Sequence, residues 1–128
     1  MRLGYTILYV KDVVATIEFY ERAFGVKRRM VKDGDYGELD TGATVLAFAS
    51  NSFARQLIPV PFGAADPQGP APPVELGFVT EHVDADFRTA IAAGAVEVTP
   101  PEGKPWGQTV SYVRDLNGFL IEICSPLG

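Results

Sequence analysis

Two glutamates set among strand-forming residues are the first groups in this sequence that could do chemistry. Glu122 lies inside the apolar run Phe119-Leu120-Ile121-Glu122-Ile123-Cys124, and Glu75 lies near the start of the alternating run Val74 to Thr80. A strand alternates its side chains between two faces, so Glu75 and Gly77 share one face, as do Leu120, Glu122 and Cys124. An unpaired carboxylate among apolar neighbours is costly to desolvate, so two of them need a reason. Held close together, they raise one another's pKa. A carboxyl raised in this way can abstract a proton next to a carbonyl, and Glu122 and Glu75 are the candidate catalytic residues. Proton abstraction also needs a donor for the oxyanion that develops. The candidates are Tyr5, Tyr9, Gln108 or an arginine from the middle of the chain. The same two acids, walled by aromatic side chains, instead suit a flat or cationic ligand. Tyr5, Ile7, Tyr9, Trp106 and Gln108 are the candidate ligand-binding residues. If Glu122 is only a rim residue, Arg114 or Lys104 is its expected ion-pair partner. Cys124 reads as a small buried hydrophobe, with nothing beside it in sequence to lower its pKa.

The elements that must position these residues come in two similar series. Tyr5 to Val10 is β-branched and aromatic, as strands are. Asp12 offers a helix cap, and Val13, Ile17, Tyr20 and Phe24 follow at helical spacing. Gly25 stops that helix. Strands are expected over 26–31, 36–41 and 44–49, with turns at Asp33-Gly34 and Gly42. The second series has a strand over 74–80, a helix over 84–93 stopped by Gly94, and a strand over 95–99. The proline-rich stretch 100–105 reads as a loop. Strands over 108–114 and 119–124 then flank the turn Asp115-Leu116-Asn117-Gly118. Each series is β-α-β-β-β. The element Tyr36-Gly37-Glu38 is echoed seventy positions later as Trp106-Gly107-Gln108, which marks the duplication. The whole chain, 1–128, reads as a single domain, with unit one at 1–49, a connection at 50–73 and unit two at 74–128. Six of the ten prolines lie in that connection. A helix or strand over most of it is therefore not expected; it reads as a linker, or as a lid over a ligand. The expected class is α+β, with the two mixed sheets curved around a shared concave cavity, a common form of ligand site.

Bulk properties narrow the partners. A net charge of −5 offers no general affinity for phosphate backbones, so nucleic acid is not expected. Charged residues interrupt every apolar run before it reaches a membrane-spanning length, so no membrane partner is expected. The opening residues read as a strand rather than a signal-peptide core. With one cysteine the expected location is cytoplasmic.

The sequence resembles the vicinal-oxygen-chelate superfamily of glyoxalase, bleomycin-resistance and extradiol dioxygenase proteins. The resemblance rests on Leu8-x-Val10-x-Asp12, Phe19-Tyr20-x-x-x-Phe24-Gly25, Ala92-Ala93-Gly94-Ala95, Pro105-Trp106-Gly107 and Arg114-Asp115-Leu116-Asn117-Gly118-Phe119-Leu120-Ile121-Glu122. It implies metal ligands on the first and last strand of each unit. Those positions hold Tyr5, Ala47 (Leu46 if the register slips by one), Glu75 and Glu122. The sole histidine, His82, falls at a helix start and reads as a surface residue, which excludes a two-histidine iron site within one chain. No cofactor is expected. The leading reading is a protein that binds a small organic molecule in its concavity without the family's usual four-ligand metal. The alternative is a glyoxalase-like lyase or isomerase with a weakly held divalent metal on Glu75 and Glu122. A third reading is a dimeric interaction module, since the resemblance implies a homodimer.

Overall fold

The computed structural model describes residues 1–127. The chain runs β1 (Tyr5–Val10), α1 (Val13–Phe24), β2 (Lys27–Lys32), β3 (Tyr36–Asp40), β4 (Val45–Ser50), α2 (Asn51–Leu57), β5 (Glu75–Val79), α3 (Val83–Ala92), β6 (Val96–Gly103), β7 (Thr109–Arg114) and β8 (Leu120–Cys124). The strands form two four-stranded sheets, ordered β1-β4-β3-β2 and β5-β8-β7-β6. In each, the first and last strands of a series pair in parallel and the others antiparallel. This is the expected α+β class and the expected β-α-β-β-β order, repeated. Two compact units result, one of residues 1–21 and 25–65, the other of 22–24 and 66–128.

In the first unit, Asp12 accepts a hydrogen bond from the Ala15 amide at 3.0 Å and so caps α1. Gly25 ends the helix in the left-handed conformation, at φ 67°. Val13, Ile17 and Tyr20 are fully buried, as are Leu39 and Phe48. The Tyr20 and Phe48 rings lie 4.9 Å apart. Helix and sheet meet here because the even-numbered residues of β1 and β4 turn their apolar side chains toward α1. Gly37 of β3 allows the close approach: a Cβ there would meet Val13 Cγ1 at 3.1 Å and Ile17 Cγ1 at 3.2 Å.

In the second unit, α3 buries Val83, Phe87 and Ala90, and the sheet buries Val113, Ile121 and Ile123. The β7–β8 turn is held by Asp115, whose Oδ1 accepts from the amides of Asn117 and Phe119. That turn fixes the register Arg114↔Leu120, Tyr112↔Glu122 and Val110↔Cys124.

Three local expectations change. The connection contains a helix, α2, capped by Ser50. All six of its prolines fall at Pro59 or later, which leaves 51–58 free to coil. Strand β6 extends through Pro100-Pro101 to Gly103, where a loop was expected. It is an edge strand whose pairing is broken by two register shifts, and such a strand tolerates prolines that lack an amide donor. Finally, the echoed Tyr36-Gly37-Glu38 and Trp106-Gly107-Gln108 are not equivalent. Glu38 faces Ala47 as Tyr112 faces Glu122, so Tyr36 corresponds to Val110 rather than to Trp106. Gly37 sits under a helix within β3, whereas Gly107 is a turn residue at φ 100° with nothing near its absent Cβ.

Candidate functional site

The sheet face of the second unit turned away from α3 carries Glu75, Glu122, Tyr112 and Cys124. Strand β8 lies between β5 and β7, so Glu122 has Gly77 on one side and Tyr112 on the other. Glu75 stands one row diagonal to it, within reach of a long side chain. Tyr112 donates its hydroxyl to Glu122 Oε1 at 3.0 Å. Glu75 and Glu122 lie close enough for the two carboxyls to interact. Local desolvation first, and then the charge of Glu122, raise the Glu75 carboxyl above its ordinary range. Burial and the same carboxylate push the Tyr112 hydroxyl up to about 12 and the buried Cys124 thiol up to about 11. Glu122 is therefore the hub of the group: Tyr112 is a fixed donor that orients it, and Glu75 is a second acid beside it.

Neither expected rim partner reaches Glu122. Arg114 donates to the Gly118 and Asp66 carbonyls, and Lys104 pairs with Glu102. Sequence reasoning missed Tyr112, although the signal was present: the strong turn at 115–118 makes 112 and 122 cross-strand partners.

The first unit arranges its equivalent face differently. Ala47 lies opposite Ile7 on one side and Glu38 on the other, which identifies it, rather than Leu46, as the counterpart of Glu122. Leu46 is buried on the helix side. The acid of this face is one strand over, on β3. Glu38 Oε2 accepts from the Tyr36 hydroxyl at 2.8 Å, and Oε1 lies 3.4 Å from Arg29 Nε. Burial first, then donation to Glu38, raises the Tyr36 hydroxyl well above its ordinary range. Tyr5 and Ile7 are exposed on this face. Tyr9 is half-buried because Phe62 of the connection lies on it, ring centroids 4.9 Å apart, with the Arg55 guanidinium 4.5 Å from the Phe62 ring.

Trp106 and Gln108 bind each other instead of joining the acids. The Trp106 indole donates to Gln108 Oε1 at 2.8 Å, and Gln108 Nε2 donates to the Ser125 carbonyl at 2.8 Å. The indole stays 61% exposed, a fixed flat surface beside the β6–β7 turn. His82 starts α3 without a side-chain cap bond and is exposed. It borders a shallow cavity of about 350 Å³ with Glu81, Asp84, Arg88, Thr109 and Ser125. Among the described residues, no three His, Cys, Asp or Glu side chains gather as a metal-holding group. Also among them, no helix is long and apolar enough to cross a membrane.

Comparison with known proteins places this geometry in a family. Residues 2–123 match the Glyoxalase/Bleomycin resistance protein/Dioxygenase superfamily. A glyoxalase-related enzyme from Fulvimarina pelagi is similar in structure, with a TM-score of 0.80 at 21% identity over 98% of this chain and 88% of that one. A protein of unknown function from Agrobacterium tumefaciens str. C58 gives 0.79 at 26% identity, over 99% and 95%. TioX from Micromonospora sp. ML1 gives 0.73 at 25% identity, over 98% of each chain. A search of curated proteins finds no match.

Proposed function

The chain belongs to the Glyoxalase/Bleomycin resistance protein/Dioxygenase superfamily, and from that premise we propose that it binds a small cationic organic molecule at the Glu75–Glu122 pair. The observation that carries this reading is the surroundings of Glu122. It accepts from the Tyr112 hydroxyl, it has a second carboxyl beside it in Glu75, and no ion pair among the described residues gives it a Lys or Arg partner. A ligand cation would supply a positive charge beside both carboxyls and offset the effect of Glu122 that raises the Glu75 pKa. An aromatic body would find flat surface in Tyr112 and, on this unit, Trp106.

In this reading the family's four-ligand metal does not fit. Ala47 carries no side-chain donor atom, Tyr5 replaces the usual His or Gln, and Glu122 already accepts from Tyr112 beside Glu75. The lyase or isomerase alternative would use Glu75 or Glu122 as a base. It lacks a fixed electrophile, because the Tyr112 hydroxyl is already committed to Glu122. We take the protein to be cytoplasmic and homodimeric: its single cysteine suits a reducing compartment, and each sheet ends in edge strands available for pairing.

Elemental analysis together with thermal-shift measurements tests the reading. The expected result is no stoichiometric metal and stabilisation by benzyltrimethylammonium that disappears in Glu75→Gln and Glu122→Gln. Stoichiometric divalent metal in the purified protein, lost in both variants, would overturn it.

A further inference from the structure

The open face of the first unit carries a second group that the acid pair does not use, and its charge logic is the opposite. Strand β2 changes register between Arg28 and Met30. A bulge of this kind inserts one residue and re-aims a side chain. Arg28, facing Leu39, stays on the helix side and pairs with Glu21 of α1 at 3.2 Å. Arg29, the inserted residue, is turned to the other face, where its Nε meets Glu38.

Glu38 is spent as a ligand group. Its side chain is only 13% exposed, one oxygen accepts from Tyr36 and the other faces Arg29. Arg29, in contrast, is 56% exposed and engages Glu38 through Nε, on one edge of its guanidinium. The end of the fork, Nη1 and Nη2, has the geometry for a carboxylate to dock with two parallel hydrogen bonds. Anchoring by Glu38 removes part of the ordering cost that a free surface arginine would carry. Apolar surface lies across the sheet on the same face, on the opposite edge strand β1, where Tyr5 and Ile7 are 55% and 44% exposed. Tyr5 also lies near enough to Tyr36 to affect its hydroxyl electrostatically.

We propose that Arg29, oriented by Glu38 and Tyr36, forms a binding site for an organic carboxylate whose apolar body rests on Tyr5 and Ile7. The site goes beyond the cation-binding reading and does not depend on it, since it lies in the other unit and selects the other charge.

Benzoate and its neutral amide, benzamide, are the probes, followed by NMR of the Ala47 and Ala49 methyls on the same sheet face. The site predicts saturable, localised shifts with benzoate and none with benzamide over the same range. Arg29→Gln weakens benzoate about tenfold or more, in line with losing hydrogen bonds to a charged group. Arg29→Lys recovers part of the affinity, because it keeps the charge but not the fork. Equal shifts from both probes, or benzoate affinity unchanged in Arg29→Gln, would overturn the proposal. Arg29 is half exposed, so neither variant threatens folding, and unchanged methyl spectra without ligand confirm that. Failure of benzyltrimethylammonium to bind would count against the acid pair alone, and failure of benzoate against this site alone.

Discussion

The two units carry the same strand order on the same kind of sheet, yet they place their acids one strand apart. On β8 of the second unit, Glu122 faces a tyrosine and is joined by a second carboxylate from β5. On the first unit, the matching position is Ala47, and the acid Glu38 sits across from it on β3 beside an arginine. Each acid takes a tyrosine hydroxyl as donor, so the phenol–carboxylate pair is common to both faces. What differs is the second neighbour, Glu75 in one and Arg29 in the other. The lesson is that a duplicated backbone fixes where side chains can point, while single substitutions decide which charge a face is left wanting.

The largest expected effect comes from forcing the faces to match. Ala47 is fully buried, so Ala47→Glu would put an unpaired carboxylate beside Glu38 with no room for water. It should cost about 3–5 kcal/mol, read as a large drop in the urea midpoint. A variant as stable as the wild type would mean that the two positions are not equivalent environments. The echoed glycines give the next effect. Gly37 needs space under α1, so Gly37→Asn should cost about 1–3 kcal/mol through overpacking against Val13 and Ile17. Gly107 needs only its positive φ, which asparagine tolerates better than most residues, so Gly107→Asn should cost under about 1 kcal/mol. Equal losses would restore the echo as a true repeat.

Much of the fold was legible because the signals were local: period-two runs, an aspartate cap, glycine stops and a turn at 115–118. Glu75 and Glu122 could be set on one face by parity alone. Glu38 and Tyr112 escaped notice because their roles depend on cross-strand register rather than on residue type. The echo misled for the same reason: the offset between units is 70 at the helix starts (Val13, Val83) but 74 between β3 and β7 (Glu38, Tyr112), so a constant spacing of seventy joins positions that do not correspond. The helix at 51–57 was hidden by averaging prolines over a segment whose first third has none.

Two smaller effects concern the acid pair. Folding raises the Glu75 pKa, so the folded chain holds that proton more tightly than the unfolded one. The resulting stabilisation is complete below the unfolded carboxyl pKa and is lost as pH rises through the folded one. Glu75→Gln should therefore gain stability relative to the wild type as pH climbs past the ordinary carboxylate range, by a small margin because the residue is exposed. Denaturation midpoints across that range check this, and a difference independent of pH would count against a raised Glu75 pKa. The smallest effect is on Cys124. Buried, with its thiol pushed up to about 11, it should alkylate far more slowly than free cysteine at neutral pH. Iodoacetamide labelling followed by mass spectrometry reads this directly.

The central claim is that a ligand cation binds at Glu122. Calorimetric titration of benzyltrimethylammonium into the wild type and Glu122→Gln tests it most directly. The account predicts saturable binding to the wild type and at least about tenfold weaker binding to the variant, equivalent to roughly 1.4 kcal/mol. Equal affinity in the two proteins would contradict it.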